Sequence, residues 1–246
     1  MERDAALETV FEPVRPASAF EETVERLGSA IRLGLLAPGD KLPPERELAK
    51  RLKISRSTLR QALTALVQSG HLVSLRGRSG GTFVAERRPQ AEPVAEALDQ
   101  DAWAILDYRV AIESGATALA AERGTEEQFD RLEELVEKMA GELEDFEEYR
   151  FTDIRFHIGI AEAAHSPRLL TGMTDVQAQM SNLIDLIAHP PEVLTRSNEQ
   201  HARLIKALRK GDGARAVRCM REHTEGTEHV LAGLLPAPVR LEPPTG

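Results

Sequence analysis

Apolar residues recur at intervals of three and four along nearly the whole chain, the spacing of helices that bury one face, and this excludes most β architectures. Phe20, Val24, Leu27 and Ile31 follow it after a polar lead containing Pro13 and Pro16, with Ser18 as the expected cap and a stop near Gly34. Pro38, Gly39 and Asp40 form a turn. A short helix over Glu45–Leu52 and a longer one from the Ser55 cap to about Ser69 come next, the second with Leu59, Leu63 and Leu66 inward and Gly70 suited to end it. The period changes to that of a strand only at 72–75 and 82–85. Between them Arg76-Gly77-Arg78-Ser79-Gly80-Gly81 has the chemistry of a hairpin turn. Three helices and a hairpin in this order are the winged helix-turn-helix plan.

Beyond a linker every periodic segment is helical: 96–123, 125–147, 149–164, 167–187, 191–210 and 213–234. The fold class is therefore mostly α, with an antiparallel all-α bundle after the wing. Ten aromatics in 246 residues agree with this. The expected organisation is a flexible lead over 1–18, a winged helix-turn-helix domain over 19–88, a linker over 89–95, an all-α domain over 96–234 and a loose tail over 235–246. The single Cys219 forms no internal disulfide, no apolar run reaches the length of a membrane span, and a cytoplasmic location is expected.

A formal charge of −9 speaks against a nucleic-acid partner only until it is resolved along the chain. Residues 19–88 carry +6 and residues 89–246 carry −13. A basic module joined to an acidic one predicts that the first meets a polyanion. On the helix after Ser55, the residues opposite the leucines include Arg56, Ser57, Arg60, Gln61 and Thr64, a polar stripe with two arginines and no acid. Such a stripe suits the major groove, where arginine binds guanine through two hydrogen bonds. Arg46 on the preceding helix and Arg76 or Arg78 beside Gly77 on the hairpin flank it. The alternative is a solvated helix face with a basic turn; helix spacing, hairpin and local charge together favour the DNA reader.

The acidic half holds a second pattern. Asp153 and His157 are four apart on one helix and share a face. His201 falls on the face of Leu204, Ile205 and Leu208, and His223 on that of Ala216, Met220, Thr227 and Val230, so both are expected in the core. Three imidazoles and a carboxylate suit a divalent transition metal and leave one or two positions for water or ligand. Zinc or nickel comes first, with manganese, cobalt and iron(II) also compatible. Arg109 shares a face with Ile105, Ile112, Ala116 and Leu119, and burying its charge alone is costly. Either Glu113 pairs with it, or it awaits an anion such as a carboxylate. Cys219, one turn before His223, reads as a small buried thiol and not as a further ligand.

The runs Lys41-Leu42-Pro43-Pro44-Glu45-Arg46-Glu47-Leu48-Ala49 and Ile54-Ser55-Arg56-Ser57-Thr58-Leu59-Arg60-Gln61-Ala62-Leu63, with Gly80-Gly81-Thr82-Phe83-Val84, resemble the N-terminal domain of GntR-family bacterial transcription regulators. The resemblance implies DNA contacts by Arg46, Arg56, Ser57, Thr58, Arg60 and Gly77. Pro44 departs from it, standing where a small hydroxyl residue is usual. Tyr108-Arg109-Val110-Ala111-Ile112-Glu113, Asp153-Ile154-Arg155-Phe156-His157, Gln200-His201-Ala202-Arg203-Leu204-Ile205 and Met220-Arg221-Glu222-His223 are similar to the FCD-type ligand-binding domain of the FadR subfamily. That similarity implies six or seven helices, a small organic acid as effector, and a metal held by Asp153, His157, His201 and His223.

The expected function is a metabolite-responsive transcription regulator, a homodimer on a pseudo-palindromic double-stranded DNA operator whose affinity a small carboxylate modulates, and not an enzyme. One alternative makes the metal itself the signal. Another, a metal-dependent enzyme with an accessory DNA-binding domain, needs an acid or base beside the metal, for which Glu162 and His165 are the available residues.

Overall fold

The computed structural model describes residues 10–15, 18–32, 34–77, 80–86 and 101–234. The expected linker and tail, most of the lead, and Arg78 lie outside the described residues. By its contacts the chain divides into two units, one of Met1–Asp99, Leu186–Glu192 and Gly226–Gly246, the other of Gln100–Asp185 and Val193–Glu225.

The first unit contains α1 (Ala19–Arg32), α2 (Glu45–Leu52), α3 (Arg56–Gln68) and the antiparallel strands β1 (Leu72–Leu75) and β2 (Gly81–Val84). Phe20, Val24, Leu27 and Ile31 of α1 are buried, as are Leu48 and Leu52 of α2 and Leu59 and Leu66 of α3, and α3 packs on both other helices. Ser55 caps α3 by accepting from the Thr58 amide at 3.0 Å. At the other end Gly70, at φ +77°, takes the left-handed turn that closes the helix, with the His71 amide reaching back to the Leu66 carbonyl at 2.9 Å. One expected cap differs, and one position expected to lack a capping hydroxyl does lack it. Ser18 donates to the Glu22 carboxylate, so its hydroxyl ties α1 to an acid within the helix. Pro44 offers no side-chain cap, and its carbonyl alone receives the Glu47 and Leu48 amides.

The hairpin pairs Leu72 with Val84 and Leu75 with Gly81. Its outer edge is lined by residues 39–42, where the Leu42 amide donates to Thr82 and the Val84 amide to Asp40. The last turns of α9 (Gly213–Leu234) belong to this unit and touch α1 backbone to backbone: a Cβ on Gly28 would fall 1.9 Å from the Gly233 carbonyl oxygen. Arg32 donates to the Ala232 carbonyl beside this crossing, and His229 Nδ1 lies 2.6 Å from Glu25 Oε2.

The second unit is helical: α4 (Asp101–Arg123), α5 (Glu126–Ala140), α6 (Phe146–Ala163), α7 (Pro167–Ile184), α8 (Pro191–Leu208) and most of α9. Six helices among the described residues agree with the expected bundle. α6 packs against α4, α5 and α7, and buries Tyr149, Asp153, Phe156, His157 and Ile160. The helix expected over 125–147 ends at Ala140. Gly141 stops it and the Asp145 carboxylate caps α6 from the Glu148 amide, so the acidic stretch between, although compatible with helix by composition, turns a corner. Thr125 and Gln128 form a reciprocal capping box at the start of α5. Among the described residues no helix is long and apolar enough to cross a membrane.

His71 is buried beside Ser69 in the first unit. Burial, and then the Arg32 charge, push its pKa down from 6.5 to about 4 against the raising effect of the Ser69 hydrogen bond. The unfolded chain binds a proton in this range that the folded chain refuses, so stability falls as pH drops from 6.5 towards 4, by up to about 3 kcal/mol from this residue. Urea unfolding between pH 7 and 4.5 should show the loss, and His71→Gln should reduce it; identical pH dependence in both proteins would contradict the assignment.

Candidate functional site

Two groups of side chains stand out, one on each unit. Arg46, Arg56, Ser57, Arg60, Gln61, Arg76 and Gly77 are exposed, and Thr58 and Thr64 are half-buried. The stripe expected on α3 is therefore presented to solvent, opposite Leu59 and Leu66. Ser55 gathers hydroxyls at the start of α3, with its Oγ 2.7 Å from that of Ser57 and 2.8 Å from Thr58 Oγ1. A helix N-terminus ringed by hydroxyls favours a phosphate oxygen. Arg60 Nη2 lies 2.9 Å from Glu45 Oε2 on α2, which holds its guanidinium across the helix-turn-helix. Gly77, at φ +111°, lies at the tip of the wing with open space around it.

In the second unit α6, α8 and α9 bring Asp153, His157, His201 and His223 together. Asp153 Oδ1 lies 3.7 Å from His157 Nε2 and 3.6 Å from His201 Nε2, and His201 Nε2 lies 3.4 Å from His223 Nε2. A ligand atom from each of the three imidazoles falls within 4.8 Å of the others. Donors bound at about 2.0–2.2 Å to one tetrahedral ion are about 3.4 Å apart, so this spacing suits a divalent transition metal. His157 Nε2 is buried with no hydrogen-bond partner, as a nitrogen aimed at a cation would be. The site's chemistry thus fits the metal expected from the sequence.

Electrostatics favour the deprotonated forms of Asp153, His201 and His223. Burial pushes His201 down to about 3, the nearby carboxylates only partly opposing it. Burial and the neighbouring His201 and Arg109 hold His223 well below the ordinary histidine value. Burial would raise Asp153, but His157, Arg150 and His201 together outweigh it and lower its pKa. Glu113 is lowered in the same way: His157 and Arg109 overcome a large burial effect.

Arg109 is buried, and of its two sequence alternatives the pairing with Glu113 is the one seen. Nε lies 2.8 Å from Glu113 Oε1, Nη2 lies 3.1 Å from His223 Nε2, and Nη1 has no hydrogen-bond partner. Glu113 pairs with the arginine while leaving one face of the fork beside the histidines. Three contributors were not anticipated. Gln200 Oε1 is 3.1 Å from His223 Nδ1, Arg150 binds Asp153, and Gln177 binds Glu113. Arg150 had a sequence signal, since it precedes Asp153 by three and shares its face. Gln177 had none. Cys219 is half-buried at the edge of the core and outside the cluster.

A winged helix-turn-helix on one unit and a helical unit with a buried polar centre define a DNA-binding transcription regulator. Residues 20–84 match the gntR family of bacterial regulatory proteins, and residues 104–226 match the FCD domain. The chain belongs to the GntR family, with an FCD effector-binding domain following its DNA-binding domain. It is 35% identical to RmpR of Mycobacterium gastri over 81% of this chain and 75% of that one. It is 31% identical to the HTH-type transcriptional regulator LutR of Bacillus subtilis, covering 82% and 96%, and 30% identical to the Glc operon transcriptional activator of Escherichia coli, covering 82% and 83%. Among solved structures it is similar to Escherichia coli McbR/YncC, at 25% identity and a TM-score of 0.49 over 86% of this chain and 96% of that one.

These relatives are regulators, and the chain is a regulator and not an enzyme. Glu162 and His165, the acid and base named for the enzyme alternative, are exposed, while the metal-ligand candidates are buried. His165 occupies the turn after α6 at φ +50° and is exposed.

Replacing Arg56 or Arg60 by alanine should weaken specific operator binding by about 1–3 kcal/mol if the lost contact is bidentate to a base. Fluorescence anisotropy with operator and random duplexes measures it. Wild-type operator affinity in both variants would remove α3 from the groove.

Proposed function

We propose that this regulator is a homodimer in the cytoplasm whose domain over 19–88 reads a pseudo-palindromic operator, contacting DNA through Arg46, Arg56, Ser57, Thr58, Arg60, Arg76 and Gly77. Its domain over 96–234 holds a divalent transition metal, zinc or nickel first, through Asp153, His157, His201 and His223. A small carboxylate binds beside that metal and Arg109 and shifts operator affinity. The observation that carries this reading is the buried convergence of three imidazoles whose ligand atoms lie within 4.8 Å of one another, with Asp153 Oδ1 at 3.7 and 3.6 Å from two of them and His201 Nε2 at 3.4 Å from His223 Nε2.

Charge balance supports an anionic effector. The buried ions of the centre are Arg109, Arg150, Glu113 and Asp153, which sum to zero. Imidazoles that bind a metal do so in the neutral form and add nothing, so a divalent ion brings two uncompensated positive charges into a medium that tolerates them poorly. A carboxylate offsets part of that excess, and a bound metal supplies coordination positions for its oxygens. The side of Arg109 beside His223, with Nη1 unsatisfied, presents a planar fork for the same group. One relative is named for the L-lactate dehydrogenase operon of Escherichia coli, which makes L-lactate the first acid to test. The effector can move the DNA equilibrium only through different affinities for the two arrangements of the dimer.

Metal analysis of untagged protein, followed by operator titrations with metal, with L-lactate and with both, tests the reading. One metal per chain and an operator affinity that L-lactate or another small carboxylate changes only in the metal-loaded protein are expected. An affinity that follows metal alone makes the metal the signal. His201→Ala should lower metal content and abolish the response to acid while dimers persist; unchanged stoichiometry would rule out this ligand set.

A further inference from the structure

We propose that Arg150 and Gln177, neither of them a candidate ligand, form a buried brace that makes Asp153 present a single oxygen to the metal and ties that ligand to His157 through Glu113; this rests on the metal reading above. Arg150 lies one turn before Asp153 on α6, and its Nη1 donates to Asp153 Oδ2 at 2.6 Å. The other oxygen, Oδ1, faces the Nε2 atoms of His157 and His201. Nη2 of the same guanidinium reaches α7, where the Gln177 carbonyl, Gln177 Oε1 and Ser181 Oγ each lie at 3.2 Å.

Gln177 continues the chain of contacts. Its Nε2 donates to Glu113 Oε1 at 3.1 Å, and Glu113 Oε2 lies 2.8 Å from His157 Nδ1. A guanidinium only donates and a carboxylate only accepts, so the amide has one workable orientation, oxygen to Arg150 and nitrogen to Glu113. Arg150, Gln177 and Glu113 are all buried, at 8%, 2% and 0% exposure, so water does not substitute for these bonds.

The consequence for the metal is a matter of coordination number. A carboxylate whose outer oxygen is held by a short charge-assisted bond has one oxygen left to give. Released from Arg150, Asp153 is able to turn both oxygens inward and take a position that an effector carboxylate needs. Arg150 and Gln177 are positioning residues that act through Asp153 and His157.

The test uses the full chain and its Arg150→Met, Arg150→Lys and Gln177→Leu variants, stripped with a chelator. Each is titrated with Zn2+ against a chromophoric competitor, and then with Co2+ while its visible absorption is recorded. Arg150→Met and Gln177→Leu should bind zinc about 10–100-fold more weakly. The cobalt band of Arg150→Met should lose intensity as coordination number rises, with Arg150→Lys in between. Wild-type zinc affinity in both variants overturns the brace and leaves the metal reading standing. Weaker zinc binding with an unchanged cobalt spectrum also overturns it, since the single-oxygen constraint would then be absent. A wild-type chain that takes up neither metal overturns the underlying reading and this one with it. Circular dichroism checks folding, and if Arg150→Met is unfolded, Arg150→Lys and Gln177→Leu decide the outcome.

Discussion

Four charges and three imidazoles buried inside a helical bundle set the terms for the rest of the second unit. Any one of these groups left alone would cost several kcal/mol in a medium of low polarity. They are tolerated because each answers another: Arg109 with Glu113, Arg150 with Asp153, Gln177 between the two pairs, and Gln200 behind His223. The apolar core surrounds this centre, with Phe156 packed against His157 and His201 on one flank. Helix boundaries serve the same end. The turn after Ala140 lets α6 begin where its inward face carries Arg150, Asp153 and His157 together.

The first unit obeys a simpler constraint. Its apolar core includes Phe11, Phe20, Val24, Ile31 and several leucines, closed by hydrogen-bonded turns, and its buried acid Glu22 is answered by Arg15 and Arg26. The arginines of α2, α3 and the wing, Arg46, Arg56, Arg60 and Arg76, stay outside, where solvation costs nothing and a polyanion can reach them. The two halves of the sequence differ in sign because their charged groups have different tasks: one set is displayed, and the other is buried or spread over the outer faces of a bundle.

Much of this was legible in the sequence, and the residues show why. The cap at Ser55 acts on an amide three residues away, so local spacing records it. Asp153 and His157 were visible as a pair because a helix places i and i+4 on one face. His201 and His223 were visible because an ionisable ring on an apolar face needs an explanation. Gln177 and Gln200 carry no such mark; a glutamine on a helix is ordinary until the neighbouring helix shows what it meets. The length of α5 was misread because Glu142 to Tyr149 has helical composition, and only the placement of Gly141 and Asp145 makes a corner of it.

Arg60 reaches across to Glu45 before any duplex is present. A free arginine would surrender about 2 kcal/mol of rotamer entropy on docking, and one already confined has less to surrender. The bridge is largely exposed, so it contributes little energy and opens without resistance. Such a weak tether narrows where the guanidinium ranges in the free protein, and in the proposed reading it yields to a base edge in place of the carboxylate.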